Sequence, residues 1–123
     1  MSIPRKLSDL RVYVAAMDLG RDVSKHVERW PWPERHDIGR QLVRSTDSIA
    51  ANIAEGYGRH YPREKRMFLF YARSSAREVE CWLDKALDKR LINAAAHRRY
   101  TNQLFHIVKM LAAYIRLVAP TGT

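Results

Sequence analysis

Apolar residues recur at intervals of three and four through four stretches of this 123-residue chain, with a short turn-forming segment between each stretch and the next. That period is the signature of a helix burying one face. The first stretch covers 7–28, where Val12, Ala16, Leu19, Val23 and Val27 form a stripe with Leu10, Val14 and Met17 beside it. Trp30-Pro31-Trp32-Pro33 stops it, since each proline disfavours helix in the residue before it. The two tryptophans suit either a cap on one end of the core or a partner-binding patch.

The second stretch covers 34–56. Pro33 and Glu34 suit a first turn, where a missing N–H is harmless and a carboxylate meets the positive end of the macrodipole. Ile38, Leu42, Ser45, Ile49, Asn52 and Gly56 mark one line on it, and Val43, Thr46, Ala50, Ile53 and Tyr57 the next. A left-handed glycine cap is expected around Gly56-Tyr57-Gly58. Pro62 opens the third stretch, 62–90, with Phe68, Tyr71, Ala72, Ser75, Val79, Trp82 and Ala86 read as inward and Arg66, Arg73, Arg77 and Asp84 as outward. Leu91-Ile92-Asn93 makes a turn with Asn93 as N-cap. The fourth stretch, 94–118, carries Tyr100, Leu104, Ile107, Leu111, Ile115 and Val118 inward and Arg98, Asn102, His106, Lys109 and Arg116 outward, and Pro120 closes it. Four helices with short connections predict an all-α, antiparallel up-down-up-down four-helix bundle, one domain over residues 1–123.

Charge narrows the partners. The formal net charge is +9, from 22 basic and 13 acidic residues. Asp88 is the last acid, and Lys89, Arg90, Arg98, Arg99, Lys109 and Arg116 follow it unopposed. Such a field attracts polyanions, although it also simply solubilises a helix surface. Arg73 and Arg77 are like charges four apart, mildly unfavourable in an isolated helix and so a pointer to an acidic or phosphate-bearing partner. The candidate nucleic-acid contacts are Arg66, Arg73, Arg77, Arg98, Arg99, Lys109 and Arg116. Without a zinc finger, glycine-rich loop or aromatic sheet platform, RNA or DNA would be held through phosphates and without sequence preference. No apolar run is long enough to span a membrane and no leader pattern is visible, so the expected location is the cytoplasm.

Catalytic chemistry finds little support. His26, His36, His60, His97 and His106 lack metal-ligand spacing. The single Cys81 reads as a core thiol beside Trp82 and excludes an internal disulfide. Gly56-Tyr57-Gly58-Arg59 lacks the rest of a phosphate loop. Glu55, Glu78 and Glu80 stand without a nucleophile or metal. The chain is read as no enzyme, with no cofactor.

One segment departs from ordinary amphipathic patterning. Asp47-Ser48-Ile49-Ala50-Ala51-Asn52-Ile53-Ala54-Glu55-Gly56 places small residues on nearly every side, which suits a tight helix crossing or a subunit contact. Asn52 and Glu55, if buried there, would need polar partners.

The stretch Ser48-Ile49-Ala50-Ala51-Asn52-Ile53-Ala54-Glu55-Gly56, followed by Gly58-Arg59, resembles the signature of the bacterial four helix bundle proteins. That family includes proteins encoded in intervening sequences of 23S rRNA genes and the accessory variability determinant of diversity-generating retroelements. Phe68-Leu69 and Ala72-Arg73-Ser74-Ser75-Ala76-Arg77-Glu78-Val79-Glu80 resemble its third-helix pattern, and Asp9-Leu10 and Lys109-Met110-Leu111 match in character. Ala50 stands where the family usually has proline. The resemblance implies a ring-like homopentamer without catalytic activity, and for the retroelement branch a basic barrel that binds nucleic acid and a reverse transcriptase. It marks Ser48, Ile49, Ala51, Asn52, Ala54, Glu55, Gly56, Gly58, Arg59 and Glu78 as structural signature or subunit interface. The alternative is a protein–protein scaffold that does not bind nucleic acid.

Overall fold

The computed structural model describes residues 3–118; Met1, Ser2 and Pro120 lie outside them. A 3-10 turn at Leu7–Asp9 leads into α1 (Arg11–Val27), a one-turn α2 (Trp32–His36), α3 (Ile38–Gly58), α4 (Pro62–Asp88) and α5 (Ala94–Leu117). The four long helices form a four-helix bundle, with no strand among the described residues. Around the bundle, α1 packs on α3 and α5, and α4 packs on α3 and α5.

Close contacts fix the direction of each helix. A Cβ on Gly39 would meet Val27, and one on Gly20 would meet Asp47, so α1 and α3 diverge from their connection in opposite senses. Gly56 lies against Lys65 and Ser48 against Ser75. His97 meets Asp84 at the α4–α5 turn. His26 meets Tyr100 while Asp22 meets Gln103, which makes α1 and α5 antiparallel too. Neighbours alternate up and down all round.

The stripe expected on α1 is the buried one: Val12, Ala16, Leu19, Val23 and Val27 all lie in the core, whereas Val14 and Met17 are exposed. On α5, Tyr100, Leu104, Ile107, Leu111, Ile115 and Val118 are buried, as the spacing predicts. On α4 the expected stripe is displaced. The core face is Leu69, Ala72, Ala76, Val79, Leu83 and Ala86; Tyr71 is exposed and Phe68, Ser75 and Trp82 are only half-buried. The large aromatics lie on the flank of the core line, which is filled by Ala, Val and Leu side chains packed at the density of a protein interior. Cys81 is likewise exposed and not a core thiol.

Two connections also differ from expectation. The second stretch is not continuous: Asp37 leaves helical geometry (φ −105°, ψ −95°) between α2 and α3. That turn seats both Trp30 and Ile38 in the core. Trp30 therefore caps the bundle end, whereas Trp32 is 64% exposed and does not. The glycine cap at the end of α3 is absent, since α3 runs through Gly58 and extended Arg59 (φ −77°, ψ 148°) ends it. The left-handed residue is Arg90 (φ 61°), after α4, where Leu91 N–H donates to Ala86 O at 2.9 Å. This is a Schellman-type stop built on arginine, not glycine. Asn93 caps α5 as expected, its side chain accepting from Ala96 N–H at 2.8 Å.

Candidate nucleic-acid interface

The α3–α4 seam explains the small-residue segment first. Ser48 Oγ and Ser75 Oγ lie 2.9 Å apart across it. Asn52 Nδ2 donates back to Ser48 O at 2.9 Å and Ser48 Oγ at 3.1 Å, so the amide nitrogen is partnered within its own helix. Gly56 permits the closest approach: a Cβ there would stand 3.0 Å from Lys65 O and 3.2 Å from Phe68 Cβ. Lys65 Nζ donates to Tyr57 O at 2.8 Å, meeting a carbonyl at the C-terminal end of α3, and partial burial lowers its pKa from the ordinary value. Asp47, facing Gly20, has its pKa raised by burial.

Within that signature, Ile49, Ala50, Ile53 and Gly56 are buried in the chain's own core, and Asn52 and Ala54 are half-buried. Ala51, Glu55, Gly58 and Arg59 are exposed, as is Glu78 on α4. Glu55 pairs with Arg59 at 3.1 Å; Glu78 pairs with Arg44 at 3.5 Å and accepts from Trp82 Nε1 at 3.1 Å. These are solvated ion pairs, worth little to stability, and Glu55 is not the buried carboxylate its neighbours suggested. Among the described residues, no three His, Cys, Asp or Glu side chains gather where a metal would bind.

The basic candidates divide between α4 and α5. Arg73, Arg77, Arg98, Arg99, Lys109 and Arg116 are exposed, while Arg66 is half-buried with its Nε unpartnered. Arg73 and Arg77 line a groove of about 240 Å³ between the helices, with Ala76 and Glu80 on the α4 side and Thr101, Leu104, Phe105 and Val108 on the α5 side. Aromatic rings hold several of these cations. The Arg66 and Arg73 guanidinium groups lie 5.5 and 4.9 Å from the centre of the Phe70 ring, and Lys109 Nζ lies 5.8 Å from that of Phe105. Such contacts restrict the side chains without neutralising them. Arg99 instead covers Tyr100, on the α1 side of α5, and belongs to another face.

Ion pairing is unevenly placed. The pairs present are Arg21–Asp18, Arg44–Glu78, Arg59–Glu55 and His97–Asp84. Among the described residues, none of the seven candidate cations has a carboxylate partner. Spacing alone did not single out Phe70 or Phe105. Phe105 was nonetheless findable, lying seven residues after Arg98 and four before Lys109 on a face otherwise polar.

His26 occupies the opposite seam. Its Nδ1 lies 2.9 Å from Tyr100 Oη, and burial lowers its pKa below the ordinary value, with Arg29 and Arg99 adding repulsion. The Tyr114 phenol is buried without a partner and its pKa is pushed up to about 12 by burial, with Tyr57 adding to the shift.

A family model described as 23S rRNA-intervening sequence protein matches residues 8–113. A crystal structure of a protein of unknown function from the S23 ribosomal protein family of Bacteroides thetaiotaomicron superposes with a TM-score of 0.76. The match covers 85% of this chain and 97% of that one, at 22% sequence identity, a likeness of fold. No curated protein matches the sequence. Among the described residues, no helix is long and apolar enough to cross a membrane.

Proposed function

The chain belongs to the 23S rRNA-intervening sequence protein family, and from that premise we propose that it is a basic, self-associating, non-enzymatic module that holds nucleic acid through phosphate contacts along α4 and α5. One observation carries the reading: Arg73, Arg77 and Lys109 are exposed, Arg73 and Lys109 are braced by aromatic rings, and none of the three is paired with a carboxylate among the described residues, while the ion pair on the α4–α5 side, His97–Asp84, sits at the connecting turn. Unpaired cations on a rigid surface release counterions from a polyanion with little reordering of the protein. Association into a homopentamer and contact with a reverse transcriptase complete the proposal and rest on the family resemblance of the Ser48–Arg59 block.

The test is binding of labelled RNA and DNA at low salt to the wild type and to two charge-reversed variants. Arg73→Glu/Arg77→Glu/Lys109→Glu alters the α4–α5 face; Arg11→Glu/Lys25→Glu/Arg29→Glu makes the same change in net charge on and beside α1. Loss confined to the first variant supports the reading, whereas equal loss in both reduces it to net charge. A second reading, a protein–protein scaffold, is favoured by exposed Val14, Met17, Trp32, Met67 and Tyr71. It predicts a pentamer indifferent to nucleic acid in light scattering with and without added strands.

A further inference from the structure

The α4–α5 groove contains more than charge. Phe105 is 62% exposed on its α5 wall, the largest exposed ring on that face. Phosphate contacts alone make no use of a phenyl ring, and this one shares the groove lining with Ala76, Leu104 and Val108. Here the ring sits among cations, with Lys109 beside it and Arg73 and Arg77 across the groove.

Arg73 and Arg77 are one turn apart, about 6 Å along the helix axis. The stripe from Phe105 to Arg116 spans eleven residues, roughly 16 Å at the helical rise, enough for a few nucleotides. Glu80 lies on the same wall and, one turn from the His97-paired Asp84, ends the cationic stretch.

We infer that this groove takes single-stranded nucleic acid in preference to duplex, with a base stacked on Phe105 and phosphates held by Arg73, Arg77 and Lys109. The inference rests on the polyanion-binding reading above and adds what that reading lacks, a reason to distinguish strand from duplex. A single strand presents unstacked bases, every one of which has a π face to offer an aromatic side chain. A duplex hides those faces and meets the same cations only through its backbone. Removing the ring therefore changes affinity for a strand and not for a duplex. The number of phosphates neutralised, and with it the salt dependence, stays the same in both cases.

The experiment compares wild type, Phe105→Ala and Phe105→Trp by fluorescence anisotropy on an oligouridine strand and a blunt RNA duplex of equal length, with light scattering on each protein. The expected result is a loss of about tenfold on the strand for Phe105→Ala, retention for Phe105→Trp, and unchanged duplex binding and salt slope throughout. Wild-type protein that binds both probes while Phe105→Ala loses nothing on the strand, or loses equally on both, overturns this inference alone. Wild-type protein that binds neither overturns the polyanion reading and this inference with it. A subunit number altered by Phe105→Ala places the ring between copies of the chain and overturns the stacking role.

Discussion

Gly56→Ala is the substitution on which the account of the α3–α4 seam is most exposed. Inside a helix, alanine in place of glycine gains about 0.5–1 kcal/mol from backbone entropy. At Gly56 the added Cβ would meet Lys65 O at 3.0 Å, Phe68 Cβ at 3.2 Å and Leu69 Cδ2 at 3.4 Å. The nearest of these is a backbone carbonyl inside α4, which yields only if the helices separate. Separation would also stretch the Lys65 bond to Tyr57 O, now 2.8 Å, and the Ser48–Ser75 contact, now 2.9 Å. Overpacking against a backbone carbonyl falls in the upper part of the usual range, about 2–3 kcal/mol, so it outweighs the propensity gain and leaves a net loss of about 1–2 kcal/mol. For a chain of this size that lowers Tm by about 4–8 °C. Gly58→Ala is the internal control: it lies in the last turn of the same helix, a Cβ there meets nothing within 4 Å, and Tm should hold or rise. Thermal unfolding followed by circular dichroism reads both. A Gly56→Ala protein as stable as wild type would refute the argument that Gly56 sets the helix spacing.

Three further outcomes follow from single sites. Arg90→Gly should raise stability by about 1 kcal/mol, because a non-glycine residue at φ 61° carries a steric penalty that glycine lacks; a lower urea midpoint would contradict it. Asn93→Ala removes the side-chain acceptor for Ala96 N–H and should cost about 1 kcal/mol by the same assay. The His26 pKa lies below its ordinary value in the fold, so the unfolded chain takes up the proton first as pH falls. Its contribution to stability is fully present above about pH 6.5 and is lost below it. Tm measured from about pH 8 to about pH 5 should therefore fall at the acid end, less steeply in His26→Gln, and identical profiles would discount the group.

Much of the bundle could be read from periodicity, for reasons specific to each helix. On α1 and α5 the apolar stripe repeats along the helix, so the buried line can be read even with Val14, Met17 and Phe105 exposed beside it. On α4 it is not: Phe68, Tyr71 and Trp82 make a second apolar line beside Leu69, Ala72, Ala76 and Leu83, and only the approach of α3 decides between them. The break at Asp37 was invisible because nothing in Asp37-Ile38-Gly39 forbids helix; burial of Trp30 and Ile38 on the same core imposes it. Arg90 was missed as a left-handed stop because glycine was the residue sought.

The candidate site was legible as charge and not as geometry. Arg73, Arg77 and Lys109 could be placed on outer faces from their spacing, but the groove that Arg73 and Arg77 line, with Lys109 beside its Phe105 wall, needed the α4–α5 register. The same register separates Arg99 from them, turned towards Tyr100 and α1. Charge counting also could not show that carboxylates elsewhere pair off, with Asp18, Glu55 and Glu78 each holding a cation away from the groove.

The central claim, that the α4–α5 face binds polyanions through unpaired cations, is tested most directly by the salt dependence of single-strand binding. Log K is measured against log salt for the wild type and for Arg73→Gln/Arg77→Gln/Lys109→Gln. Each phosphate contact on a single strand contributes about 0.7 to the slope, so loss of three should flatten it by about 2. Weaker binding with that flatter slope is the result the account predicts; an unchanged affinity and slope would contradict it.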